Sequence, residues 1–201
     1  MEKLIAKEDW RFARLLKLWK ISLVGAERIG YGVTSGREVR YIAINALGEL
    51  SKRDYEATKD FILKILGDLR DWEMVDTIAL RVLVNLVKQN EEEMFSILEE
   101  WVYSENKWVR RLAMATIPPL IRTKLGTTEA CLKLIEKLMD EGDRDIRKAV
   151  AWALREISKK NPEAVYNFLQ GYTGSNNVNT RWIIKEGSKK LPKEKRERLY
   201  S

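Results

Sequence analysis

An apolar residue followed by an arginine returns along this chain at an interval of about 35 residues, and that repeat limits the possible folds more than any other feature. The anchors are Val39-Arg40, Val75-Asp76, Val109-Arg110, Ile146-Arg147 and Thr180-Arg181, separated by 36, 34, 37 and 34 residues. Four residues after each anchor stands a side chain that can pack: Ala43, Ala79, Ala113, Val150 and Ile184. That spacing puts both positions on one helical face, and small residues there let neighbouring helices approach closely. Between these helices lie further stretches of helical period at 55–66, 91–103, 129–139 and 163–170, so each repeat reads as a helix pair. Asn161-Pro162-Glu163 is a start signal, with a capping side chain, a proline in the first turn and an acid beside it. Asp71, Asn106 and Asp143 are caps of the same kind.

No segment alternates cleanly between turn dipeptides, so strands are not expected. The period also fits tetratricopeptide repeats, but their W-x2-L-G-x2-Y signature is missing, and a short HEAT-like unit suits the spaced Ala and Leu better. The expected fold is therefore an all-α solenoid of about five HEAT-like helical repeats, a right-handed superhelical array with a concave groove. It is read as a single domain over 1–201, with an N-terminal helix 1–24, a connector 25–36, repeats over about 36–190 and a basic C-terminal helix 190–201. Trp10 and Trp19 are expected to anchor the first helix in the core. Two places strain the regularity. Pro118-Pro119 fall late in a leading helix and should end or kink it, because proline lacks an amide donor and crowds the preceding turn. The connector contains Gly30-Tyr31-Gly32-Val33-Thr34-Ser35-Gly36, near a dinucleotide fingerprint, but no strand is expected before it, so it reads as a flexible link.

Chemistry is bounded by what is missing. The sequence has no histidine, which removes Ser-His-Asp and Cys-His catalysis and most zinc sites. Its one cysteine, Cys131, sits in an apolar helical stretch and reads as a small core residue. No apolar run approaches the roughly 20 residues that span a bilayer, so a soluble intracellular chain without membrane contact is expected; it is also expected to be a cytoplasmic monomer, nucleoid-associated in a prokaryote. The net charge of +7 is uneven: residues 1–100 carry 16 basic and 18 acidic side chains, residues 101–201 carry 21 and 12. A basic half suits a polyanionic partner, because Lys and Arg on phosphates release condensed counterions. A solvated Lys- and Glu-rich surface has the same composition.

Packing asks the same of every repeat, so a departure from the column marks a candidate functional position. Asp76 stands where the other anchors carry Arg40, Arg110, Arg147 and Arg181, and Trp72 lies one turn before it on the same face. Arg111 and Trp152 share a second stripe, two and six residues after their anchors, turned away from the packed Ala and Val positions. The structural alternatives are a charge ladder from Asp76 to Arg40 or Arg110, core roles for Trp72 and Trp152, and a solvent-facing Arg111. Spacing alone does not bring the two stripes together.

Three segments resemble the AlkD-like DNA alkylation repair glycosylases: Asp71-Trp72-Glu73-Met74-Val75-Asp76, then Asn106-Lys107-Trp108-Val109-Arg110-Arg111, then Ile146-Arg147-Lys148-Ala149-Val150-Ala151-Trp152 running on to Asn161-Pro162-Glu163. The resemblance covers roughly residues 36–190. It implies an aspartate, a tryptophan one turn earlier, an arginine from the next repeat and a tryptophan from the following one in a catalytic groove, at Asp76, Trp72, Arg111 and Trp152. It further implies hydrolysis of the N-glycosidic bond of cationic alkylpurines, 3-methyladenine and 7-methylguanine, in double-stranded DNA without metal or organic cofactor. Asp76 would stabilise the oxocarbenium-like sugar, the tryptophans would face the cationic nucleotide, and Arg111 would hold a phosphate. Arg110, Arg147, Lys148, Arg181 and Lys185 are the further basic residues expected on DNA. Two rivals fit the same residues: a HEAT-like scaffold that binds another protein, and a solenoid that binds DNA structures without cutting a bond.

Overall fold

A computed structural model describes residues 10–24, 27–29, 32–34 and 36–200, and divides the chain into two compact units, 1–68 and 69–201. The fold is an all-α solenoid, and every anchor of the repeat is buried: Val39, Val75, Val109, Ile146 and Thr180 are at most 3% exposed.

In the first unit α1 (Trp10–Val24) packs on α2 (Gly36–Leu50) and α3 (Tyr55–Ile65). Trp19 is a core anchor, as expected, and its indole N–H donates to Asp68 at 2.8 Å. Trp10 is not: it is exposed, with the Arg14 guanidinium over its ring. The connector also departs from expectation, since Glu27–Ile29 (β1) and Gly32–Thr34 (β2) pair antiparallel with Ile29 opposite Gly32. A run this short carries too few alternations for a period of two to register. Residues 1–9 of the expected N-terminal helix lie outside the described residues.

The second unit stacks helix pairs. Its leading helices are α4 (Trp72–Ile78) continued by α5 (Val84–Gln89), α7 (Lys107–Thr123), α9 (Arg144–Ser158) and α11 (Val178–Gly187), each packed on the next. Their partners are α6 (Glu91–Trp101), α8 (Thr128–Glu136) and α10 (Pro162–Gln170), and α12 (Lys193–Arg198) follows α11. The capping residues act as expected: Asp71 accepts from the Met74 amide at 2.8 Å, Asn106 from Trp108 at 2.9 Å, Asp143 from Asp145 at 2.8 Å and Asn161 from Ala164 at 3.1 Å. Each such cap stabilises its helix by about 1 kcal/mol.

Pro118 and Pro119 do not end α7, which runs on to Thr123. Residues 111–121 are all buried, so packing on both neighbouring helices offsets the cost of the two prolines, about 3 kcal/mol for each inside a helix. Between α4 and α5 the helix widens into a π-helical turn, Ala79–Leu83. The sequence carries its cause. Buried pairs recur every four residues, at Met74-Val75, Ile78-Ala79, Val82-Leu83 and Leu86-Val87, and in a 3.6-residue helix that stripe would drift by about 40° per step. One wide turn returns it to the core.

Gly187 ends α11 against Leu154 of α9. A Cβ there would lie 2.7 Å from Leu154 Cδ1 and 3.1 Å from Leu154 Cβ, and Leu154 is wholly buried. Overpacking outweighs the helix propensity gained, so Gly187→Ala is expected to lower stability by about 1 kcal/mol, a fall of about 2–5 °C in Tm by thermal unfolding. A Tm at or above that of the wild type would contradict this packing.

Candidate active site

The site begins at the N-terminus of α4. The Asp71 cap fixes the first turn, and Met74, Val75 and Ile78, at most 1% exposed, fix its rotation. That leaves Trp72 pointing outward, 55% exposed, so it is not a core residue. Asp76 follows one turn later at the edge of the packed layer, its side chain 17% exposed.

Arg111 comes from the first turns of α7, set by the Asn106 cap and by buried Val109 and Leu112. Asp76 pairs with this arginine, not with Arg110. Arg111 Nε donates to Asp76 Oδ1 at 3.0 Å and Nη2 to Oδ2 at 2.8 Å, a bidentate bond between residues 35 apart. Nη1 donates to the Asp145 carbonyl at the start of α9, so one guanidinium ties three successive repeats. Arg111 is only 6% exposed; the stripe expected to face away from the packing is here part of it. Lys107 bridges Asp143 and Asp145, each at 3.1 Å, and steadies the segment that holds the carbonyl. Burial raises the Asp76 carboxyl above its ordinary 3.8, and the hydrogen bonds and charge of Arg111 only partly pull it back.

What this pair can do chemically follows from its lone pairs. Each Asp76 oxygen accepts once from Arg111, which leaves each a second lone pair for water or for a cationic centre. The carboxylate is fixed in orientation, partly desolvated and flanked by an exposed indole one turn away.

Trp152 lies on α9, part-exposed, with the Arg122 guanidinium 5.9 Å from its ring centre. One turn further, the buried Glu156 accepts from Arg122 Nε at 3.1 Å and from Lys159 Nζ at 2.5 Å. Burial by itself would raise the Glu156 carboxyl; the bonds and charges of Arg122 and Lys159 outweigh it and hold it below 4.5.

The other basic residues divide. Arg110 donates to Glu141 at 3.0 Å and to the carbonyls of Ser104 and Glu105, bracing a loop. Arg147 donates to Asn179 at 2.6 Å and covers the Trp182 ring at 5.1 Å. Lys148, Arg181 and Lys185 are exposed. Sequence reasoning passed over Arg122, Glu156 and Lys159. Their one signal was Glu156, an acid one turn after Trp152 in the third of the matching segments. Cys131 is buried and its thiol is pushed up to about 12, mainly by desolvation, so it is inert. Among the described residues no helix is long and apolar enough to cross a membrane.

The family described as DNA alkylation repair enzyme matches residues 33–191. The chain belongs to that family. Asp76, Trp72, Arg111, Trp152, Arg122 and Glu156 all fall inside the match, whereas α12 lies beyond it. Among curated relatives of this family member, YhaZ of Bacillus subtilis, an uncharacterized protein, is 32% identical over 113 residues. That stretch is 52% of this chain, and the chain matches 31% of that protein's length. Among solved structures, AlkD2 from Streptococcus mutans is 22% identical, with 95% of this chain and 92% of that one covered and a TM-score of 0.64. AlkC of Pseudomonas fluorescens, an alkylpurine DNA glycosylase bound to DNA containing an abasic site analog, is 17% identical over 75% of this chain and 41% of that one, at a TM-score of 0.54. At such identities these two structures show a shared fold.

Proposed function

We propose that this protein hydrolyses the N-glycosidic bond of cationic alkylpurines in duplex DNA. The observation that carries the reading is Asp76, the one acid in a column of arginines, desolvated and held bidentate by Arg111 beside an exposed tryptophan. Membership of a DNA alkylation repair family supports it, as does the description of AlkC as an alkylpurine DNA glycosylase.

Alkylation of a ring nitrogen places a positive charge on the base. The C1′–N bond then breaks with its electron pair passing to the base, which leaves neutral, while positive charge grows on the sugar. Asp76 faces that charge in a partly dry setting, where a fixed carboxylate is worth more than in water. Water adds to C1′ and loses a proton, and the products are a free base and an abasic sugar. The chemistry uses a carboxylate and water alone, in keeping with a chain that has no histidine. Trp72, and Trp152 on any face left uncovered by Arg122, offer electron-rich rings to the cationic nucleotide, an attraction of ~0.5–2 kcal/mol. Arg111 acts first on Asp76; two of its five N–H groups remain for a phosphate. Exposed Lys148, Arg181 and Lys185 add positive charge for the DNA backbone, and Arg110 and Arg147 add to the field behind them. Cytoplasmic action as a monomer, without a cofactor, completes the reading.

Release of 7-methylguanine from methylated duplex DNA tests it. The wild-type protein is expected to release the base well above the spontaneous rate. DNA binding without release would leave a binding solenoid, a role that the buried Arg111–Asp76 bridge also fits as a purely structural pair. Neither release nor binding would leave a protein scaffold.

A further inference from the structure

The guanidinium that resemblance assigns to a phosphate, Arg111, has its flat edge filled by Asp76. Arg122 is on the same helix and in a different state. Eleven residues separate the two, three turns of α7, so they share one face about 16 Å apart along the axis. Arg122 is about half exposed, at 49%. Its Nε donates to Glu156, itself 8% exposed, and its guanidinium carbon stands 5.9 Å from the Trp152 ring centre, so the side chain is tied at one point and flanked by an indole. Both terminal nitrogens, with four N–H groups, are left for a partner. Lys159, 46% exposed, sits on the other Glu156 oxygen and keeps two of its three protons. One buried carboxylate therefore holds two cations at the surface, with a net charge of about +1 and a guanidinium fork already oriented.

We infer that Arg122, positioned by Glu156 and Trp152 and seconded by Lys159, is a phosphate-binding site for the DNA backbone on the face of α7 that also carries Arg111. A planar fork matches two phosphate oxygens, and its fixed geometry leaves little side-chain entropy to lose on binding. Glu156 and Trp152 are positioning residues: the carboxylate sets the direction of the fork and the indole flanks the guanidinium. It follows that one face of Trp152 already meets a protein cation, which disfavours a cationic base on that side.

The inference rests on DNA being the partner in the proposed function, but not on bond cleavage. Binding of unmodified duplex, and of the same duplex with an abasic site analogue, is measured against salt concentration for wild type, Arg122→Gln, Arg122→Lys and Lys133→Gln, an exposed lysine on α8. Arg122→Gln should bind about ten-fold more weakly at low salt, with the slope of log K against log salt reduced by about one. Arg122→Lys keeps the charge and loses the fork, so it should keep the slope and lose about three-fold in affinity. Lys133→Gln should match the wild type. A purely structural Arg122 would not move the slope. Binding by Arg122→Gln with the wild-type slope overturns the site; if that variant does not fold, wild-type affinity in Arg122→Lys does so. A wild type that releases no methylated base while Arg122→Gln still loses the slope would defeat the glycosylase reading and leave this site standing. A wild type that binds no duplex defeats both.

Discussion

Asp76→Asn is expected to fold and to bind duplex DNA while releasing 7-methylguanine about 10²–10³-fold more slowly than the wild type, the loss that follows removal of one preorganised electrostatic group from a reacting centre. The substitution keeps shape and one acceptor for Arg111 but removes the charge opposed to the sugar cation. Some stability goes with it, because the nearly buried Arg111 is left with a neutral partner. Thermal unfolding therefore has to accompany the assay, so that a rate measured on folded protein is compared with the wild type. Release by Asp76→Asn within a few-fold of the wild type would remove Asp76 from the chemistry and return it to the structural bridge. The pH profile gives a second check. Only ionised Asp76 stabilises a cation, and burial has raised its carboxyl above 3.8, so base release should fall on the acid side at a pH above the ordinary aspartate range.

Why some of this was legible in the sequence and some not is a matter of range. The repeat was legible because each leading helix repeats one local demand: a cap, a buried anchor and a packing residue one turn later, all within nine positions. Asp76 was legible for the same reason, as a break in that column. The Arg111–Asp76 bond was not, because it spans 35 residues and depends on how α7 lies against α4. Spacing put Arg111 on a stripe turned away from the packing, yet the neighbouring repeats enclose it. Pro118 and Pro119 show the same limit from the other side. Their local effect is to break a helix, and burial on every side overrode it. The four-residue spacing of the buried pairs from Met74 to Val87 was written plainly in the sequence, but its consequence, a π-helical turn, requires knowing which residues are buried. Arg122 belongs to the long-range class as well: its partners, Trp152 and Glu156, are 30 and 34 residues further along.

Arg111→Met carries the second large effect, and its signature differs from that of Asp76→Asn. Methionine fills the buried space but removes both hydrogen bonds and the charge that lower the Asp76 carboxyl, and burial, which raises it, is left unopposed. Asp76 should then keep its proton to a higher pH than in the wild type. A neutral acid does not stabilise an oxocarbenium-like sugar, so base release at neutral pH should fall about 10²-fold, and the acid limb of the pH profile should move upward, with part of the activity returning as pH rises. Stability moves the opposite way. A carboxyl whose folded pKa lies above its unfolded value favours folding fully below the unfolded value, and that contribution is lost as pH rises through the folded one. The variant should therefore lose stability between about pH 4 and its raised folded pKa, over a wider window than the wild type, and reach a loss of about 3–5 kcal/mol at neutral pH. Removing the stranded acid as well, in Arg111→Met with Asp76→Leu, should restore most of that stability and none of the activity, because an apolar pair needs no partner. Denaturant titrations at several pH values beside the base-release assay separate these effects. If Arg111→Met kept the wild-type pH profile and lost only DNA affinity, the arginine would act on phosphate alone and its bond to Asp76 would have no part in the chemistry.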